Sequence, residues 1–361
     1  MKLIFLVTVC VCVLLTSNKV NAQAVATEKA TLGRTLFFDK RLSQDGTVSC
    51  ASCHDPASAF ASGDVVAIGV RGQKGLRNAP TLLNSAFSRA YFWDGRVTTL
   101  EEQAKQPLLS PSEMGMKNEA ALVERVSAIA EYRASFQRLF RAEGITIDTI
   151  ASAIAGFERS LISRSSPFDR FISGDKKAFT VMQKRGWELF KSKAKCIECH
   201  AVSKPFPLFT DFKFYNTGIT ADGMTFAQLR DLVTQFAAGP PEQNSASRFA
   251  HIRGFAELGR YLVTKQPKDV GAFKTPTLRD IELTGPYMHN GSIKTLLDVV
   301  RFYNRGGDKN PNLDEKLRPL NLTDEEMSEL VEFMRTLTSD TVLRQVQSST
   351  PQNRNPMLVA R

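Results

Sequence analysis

Histidine and tryptophan are scarce in this chain: four and two among 361 residues. Whatever imidazole chemistry the protein performs has only a handful of groups to draw on. Long apolar runs are missing as well, apart from Leu3 to Leu15 at the start, which excludes a multi-pass membrane protein. At 42% hydrophobic and 23% charged residues, the chain is not a disordered tail either. Strand signals are weak throughout. The formal charge of +10 points to acidic partners, but the Lys and Arg are dispersed and no nucleic-acid motif occurs, so a nucleic-acid partner is not expected.

At the N-terminus, Lys2 precedes the apolar run Leu3–Leu15, polar Thr16–Lys19 and then Val20-Asn21-Ala22. A short charged start, an apolar stretch too brief to span a bilayer and a small-residue site read as a secretory signal over residues 1–22. An uncleaved anchor is the alternative; Cys10 lacks a small residue before it, which argues against a lipoprotein. Export places the mature chain in the periplasm, and its length predicts about two domains.

Six cysteines become four once Cys10 and Cys12 leave with the signal. Two disulfides are the default reading of four cysteines in an exported protein. Their arrangement speaks for something else: Cys50-Ala51-Ser52-Cys53-His54 and Cys196-Ile197-Glu198-Cys199-His200 both read C-x-x-C-H, the attachment sequence of c-type haem. The thiols add to the haem vinyl groups and the following His offers its imidazole to the iron. A dithiol redox pair does not need the trailing His, and a zinc site would have to gather ligands from both motifs. Two covalently bound haem c groups are therefore expected.

Similar surroundings frame the motifs. Gly33-Arg34-Thr35-Leu36-Phe37 precedes the first and Gly186-Trp187-Glu188-Leu189-Phe190 the second, which suggests a diverged duplication. Each half closes on an amphipathic helix. Ile150, Ile154, Phe157 and Leu161 mark the first. Thr323-Asp324-Glu325-Glu326, a capping box, opens the second, whose stripe is Met327, Leu330, Val331, Met334 and Leu337. The expected fold is mostly α, with two cytochrome c-like domains over residues 23–163 and 164–339. A break near Ser163–Lys177 separates them, and the polar stretch 340–361 reads as a mobile tail. After His54 and His200, only His251 and His289 remain, and neither lies in the first half. The first haem thus has no local histidine for its distal side, and an open iron admits a small molecule such as peroxide.

The mature chain resembles the bacterial di-haem cytochrome c peroxidases and their relative MauG. The resemblance is carried by Leu36-Phe37-Phe38-Asp39 with Arg41-Leu42-Ser43, Arg77-Asn78-Ala79-Pro80-Thr81-Leu82-Leu83-Asn84 and Phe92-Trp93-Asp94-Gly95-Arg96. It continues through Glu102-Gln103-Ala104, Pro111-Ser112-Glu113-Met114, Gly271-Ala272-Phe273-Lys274-Thr275-Pro276-Thr277-Leu278-Arg279 and Gly285-Pro286-Tyr287-Met288-His289-Asn290-Gly291. It implies that Trp93 lies between the haems as an electron relay. It also implies that Gln103 and Glu113 form the distal pair of the first haem, with Glu113 moving a proton between the peroxide oxygens. Asn78, with the carbonyls of Thr284 and Pro286, matches a calcium site. Taken singly, these residues also read as a core Trp, an N-terminal helix Glu and a turn.

Two departures follow. The typical peroxidase carries a movable histidine before the Arg-Asn-Ala-Pro segment; Gly69-Val70-Arg71-Gly72-Gln73-Lys74-Gly75 has none, so the first site is expected to be open in every oxidation state. At the family's axial methionine this chain has Tyr303, as MauG does, on a helical face with Leu296 and Val299 or Val300. A buried Tyr bonded to a carbonyl is the alternative. The span from His54 to Trp93 fits the peroxidases, and Ala194 stands where MauG has a Trp on the path to its protein substrate. The resemblance implies an enzyme that reduces hydrogen peroxide with electrons from a small redox protein. The alternatives are MauG-like oxidation of a protein side chain and a non-catalytic di-haem electron carrier.

Overall fold

The computed structural model describes residues 23, 25–203, 205–240 and 244–349. The expected signal segment, 1–22, and residues 350–361 lie outside the described residues. The fold is mostly helical. Among the described residues the sheet is a single antiparallel pair, β1 (Phe214–Asn216) and β2 (Ala272–Lys274), with Tyr215 opposite Phe273. No helix there is long and apolar enough to cross a membrane.

The first half contains α1 (residues 25–38), α2 (Cys50–Cys53), α3 (Leu100–Leu109), α4 (Glu119–Ser127), α5 (Ala130–Leu139) and α6 (Ile147–Ser160). A capping box between Thr146 and Thr149 starts α6, and Ile150, Ile154 and Phe157 turn inward. Helix α1 meets α6 at Gly33, where an added Cβ would lie 1.8 Å from the Ala153 carbonyl oxygen. Only glycine lets the two backbones approach this closely. That approach buries Leu36 and Phe37, with the Phe37 ring 5.1 Å from Phe157.

The second half contains α7 (Pro167–Ile172), α8 (Val181–Lys191), α9 (Phe226–Ala238), α10 (Ala246–Phe249), α11 (Tyr261–Thr264), α12 (Leu296–Asn304) and α13 (Asp324–Arg335). It repeats the device: α8 meets α13 at Gly186, whose added Cβ would lie 1.9 Å from the Glu329 carbonyl oxygen. Phe190 then packs 5.0 Å from Phe333. The Thr323 capping box forms with Glu326, and Met327, Leu330, Met334 and Leu337 join the apolar cluster of this half. The segment expected to interrupt the periodicity is non-helical at 161–166 and is tied to the first half by Asn84, which exchanges hydrogen bonds with the Ser163 backbone at 2.9 and 3.2 Å.

A third apolar cluster, of Leu229, Phe236, Ala250, Leu258, Tyr261, Leu262 and Val270, is built by α9–α11 within the second half. One expectation is corrected. Residues 340–349 are not a mobile tail but a helix, α14 (Asp340–Ser349), which packs on Pro56–Ser58 and inserts Val342 into the core of the first half. Val342 and Val346 share one face, and burying that face outweighs the polar composition around it.

Candidate active site

Both C-x-x-C-H motifs open onto one continuous cavity of about 470 Å³, and every residue singled out above for cofactor or catalysis lines it. The four cysteines are unpaired thiols rather than disulfides. Burial pushes Cys53 up to about 11 and Cys196 up to about 12, and raises Cys50 and Cys199 in the same direction. Thiols held so firmly protonated are poor redox nucleophiles. Among the described residues, three or more His, Cys, Asp or Glu do not gather as a group that could hold a metal ion.

The histidines carry the stronger sign. His54 Nδ1 donates to the carbonyls of Pro80 and Phe60, at 3.0 and 3.2 Å, and His200 Nδ1 donates to the Phe209 carbonyl at 2.9 Å. A carbonyl can only accept, so Nδ1 carries the proton and Nε2 keeps its lone pair. Burial lowers the pKa of both rings and favours the neutral form. Two neutral imidazoles, each oriented by a backbone carbonyl beside a pair of thiols, form a donor set suited to haem c.

Trp93 lines the same cavity. Its Nε1 donates to the Asn78 carbonyl at 2.8 Å, and its own carbonyl accepts from Lys274 N on β2 at 2.8 Å, so it joins the two halves. The adjacent Asp94 is fully buried and paired with Arg77 and Arg96 at 2.7 and 3.0 Å. Burial alone would raise the Asp94 carboxyl; the two guanidinium groups hold it below its ordinary value. His289 is buried, stacks on Phe273 with centroids 3.6 Å apart, and donates Nε2–H to Glu257 at 3.0 Å. The His289 carbonyl accepts from Asn78 N at 2.8 Å, which places it at the interface between the halves.

Gln103 projects from α3, which Thr99 caps by accepting from Glu102 N. Glu113 follows on a turn whose backbone is pinned by Ser110, Pro107 and Val70. Glu113 Oε2 is buried with no hydrogen-bond partner among the described residues. The Gly69–Gly75 loop lies directly on this turn: a Cβ at Gly69 would come within 2.1 Å of the Ser112 carbonyl oxygen. The first half has no distal histidine of its own, as expected from the sequence, but one comes from the other half. His251, on the segment after α10, lines the same cavity, and after burial the strongest influence on its ionisation is Glu113. No local pattern marks it, because tertiary packing of the third cluster brings it there.

In the second branch, Leu296, Val299, Val300 and Tyr303 of α12 share the cavity face with Cys196, Cys199 and His200. The Tyr303 hydroxyl makes no hydrogen bond to any described residue, so the alternative of a carbonyl-bonded Tyr is not what the structure contains. Burial, reinforced by Cys199 and Cys196, raises its pKa. Ala194 is buried at this branch. Trp187 does not line the cavity but stacks on Phe190, which does, at 5.9 Å.

Asn78 directs its Nδ2 to the carbonyls of Asp64 and Val65, at 3.1 and 3.2 Å, which leaves Oδ1 facing away from them. Neither Oδ1 nor the carbonyls of Thr284 and Pro286 accept from a described group. Two further cavity residues escaped the sequence reading. Lys274 is partly buried, its Nζ 3.4 Å from Ser88 Oγ, and is pushed down to about 8 by burial. Glu158 is buried with an unpartnered Oε2 and is pushed up to about 8, chiefly by burial. Glu158 lies one turn after Ile154 on the apolar stripe, a signal that was there to be found.

Residues 27–177 match the family model for di-haem cytochrome c peroxidase. The cytochrome-c peroxidase IdrP1 of Denitromonas iodatirespirans is 39% identical over 317 residues, covering 86% of this chain and 81% of that protein. The methylamine utilization protein MauG of Methylophilus methylotrophus is 36% identical over 312 residues, covering 86% and 82%. Among solved structures, a MauG-like protein associated with microbial copper homeostasis superposes with a TM-score of 0.72 at 32% identity, covering 91% of this chain and 93% of that one. The chain belongs to the di-haem cytochrome c peroxidase and MauG family of haem oxidoreductases.

Proposed function

We propose that this protein is a periplasmic di-haem peroxidase, exported by residues 1–22, that reduces hydrogen peroxide with electrons from a small redox protein. Cys50, Cys53 and His54 would hold one haem c, and Cys196, Cys199, His200 and Tyr303 a second. When bound, the haems supply the iron that meets peroxide in the first branch and passes electrons from the second. The two halves are thus cytochrome c-like domains.

The rest is work for the chain's own groups. Glu113 takes the proton from one peroxide oxygen and returns it to the other, so that the departing oxygen leaves as water. Gln103 holds the peroxide by hydrogen bonding. Trp93, bonded to both halves, couples the two haems. Lys274, Arg77 and Arg96 offer cations to the haem propionates, which is why a lysine is retained at this partly buried position. A calcium ion takes Asn78 Oδ1 and the Thr284 and Pro286 carbonyls. The turnover is H2O2 + 2 e⁻ + 2 H⁺ → 2 H2O.

One observation carries this reading: an unclaimed carboxylate oxygen on Glu113 faces the first branch, while Tyr303 and three aliphatic side chains occupy the second. Tyr303 also favours a second reading, MauG-like oxidation of a protein side chain, because an oxygen ligand stabilises ferric and higher states. Ala194, in place of the expected aromatic, weighs against it. Stoichiometric peroxide added to the oxidised holoprotein, followed by optical and low-temperature EPR spectra, tests both. Loss of a high-spin signal at once supports the proposal, and a long-lived oxidised form turns attention to a protein substrate. Reaction only after the second haem is reduced overturns the open site, and no reaction in either state leaves an electron carrier.

A further inference from the structure

Peroxide reduction consumes two protons for every two electrons. Glu113 can move a proton from one oxygen to the other, but that transfer imports none. Some other group must bring protons from solvent into the first pocket. Arg77 and Arg96 are committed to Asp94, His54 donates to two carbonyls, and Glu158 acts on the thiol side, where it influences Cys50. His251 lies at the surface end of this pocket, and its position suits the task.

Phe249, two residues before it, packs edge-on against Phe236 and Phe255 at 4.7 and 4.9 Å, which fixes the segment on the third cluster. Ile252 and Arg253, which follow, are exposed, so His251 stands where the surface meets the cavity. Its Nδ1 lies 3.5 Å from Ser110 Oγ. The Ser110 carbonyl accepts from Glu113 N at 3.1 Å, and its hydroxyl is 3.5 Å from Ser112 Oγ. Ser110 therefore joins the imidazole to the turn that carries Glu113.

We propose that His251 is the proton-delivery residue of the first haem pocket, set beside the Ser110 hydroxyl and passing solvent protons into the cavity it shares with Glu113. The inference rests on the peroxidase reading above. In each delivery the imidazolium gives one proton to the pocket and the ring takes another from solvent; two deliveries complete a turnover. Burial first, then Arg96 and Arg77, lower the pKa of the ring, with Glu113 and Asp94 opposing, so the imidazolium gives up its proton readily.

The test compares His251→Gln and Ser110→Ala with the wild-type holoprotein in two measurements. In stopped-flow reaction with hydrogen peroxide, His251→Gln lowers the second-order rate constant about 100-fold and removes an ionisation from the pH profile. Added imidazole restores part of the rate. Ser110→Ala lowers the rate less and keeps that ionisation. In equilibrium cyanide binding, which requires HCN to give up its proton and involves no turnover, the same ionisation disappears from the affinity profile of His251→Gln. Wild-type rates and profiles in His251→Gln overturn the proposal. So does a low-spin first haem that becomes high-spin in the variant, since His251 would then be an iron ligand. Should the wild-type protein ignore peroxide, the peroxidase reading falls, and the cyanide profile still decides whether His251 serves this pocket.

Discussion

The two halves are built alike up to the cofactor and differently beyond it. In each, a glycine lets a helix touch the closing helix, an aromatic follows into the core, and the motif histidine donates Nδ1–H to a carbonyl. Past that point the first half presents Gln103 and Glu113, joined by His251 from the second half, and the second branch presents Tyr303 beside Leu296, Val299 and Val300. The shared part holds a haem. The difference bears on the work of each: uncommitted polar groups in the first pocket suit a polar reactant, and Tyr303 would offer an oxygen donor in the second.

The largest effect is expected where that difference is reversed. Tyr303→Met gives the second site the ligand of an electron-accepting haem and raises its reduction potential by a sizeable part of the roughly 0.8 V that axial ligands set. Redox titration of the variant should show one potential moved and the other unchanged; if neither moves, Tyr303 is not on the iron. Glu113→Gln tests the opposite branch. It keeps the shape, removes the proton acceptor, and should slow the reaction with peroxide about 10²- to 10⁴-fold while the spectrum of the second haem stays as it was.

Local pattern made the shared part legible and left much of the difference hidden. Motif spacing gave the thiols and imidazoles, the Thr323 box gave the start of α13, and helical periodicity put Tyr303 on one face with Leu296. His251 could not be found that way, because it reaches Glu113 only through the packing of Phe236, Phe249 and Phe255 in a cluster remote from it in the chain. Helix α14 was concealed for a related reason: its sequence is polar apart from a narrow face, and the groove that buries Val342 is supplied by the other half. Glu158 was legible in principle, since a carboxylate on an apolar stripe has to be accounted for.

The glycine crossings sharpen the likeness between the halves. Gly33→Ala and Gly186→Ala each force a methyl into a carbonyl oxygen of the partner helix and should cost about 1–3 kcal/mol apiece. Thermal unfolding of the two variants should give similar losses. A much smaller loss at one site would show that its crossing can relax, and that the halves are alike in sequence more than in packing.

The smallest effect separates the halves by pH. Glu158 lies on the first half's closing helix, and its carboxyl is pushed up to about 8 from an ordinary 4.5, first by burial and then by Glu101, with Arg159 opposing. A raised pKa means that the folded state binds the proton more tightly than the unfolded chain. Its contribution is therefore fully present below about 4.5, is lost progressively as pH rises, and is gone above about 8. Glu158→Gln keeps the shape and removes the titration, so its stability should vary less than wild type between those limits, with the curves closest at low pH. Chemical denaturation of the holoproteins across that range measures the difference. Parallel curves would mean that a cation, such as a lysine of the cavity, already holds Glu158 ionised once the haem is in place. The first pocket would then carry one more fixed charge than its protein groups alone require.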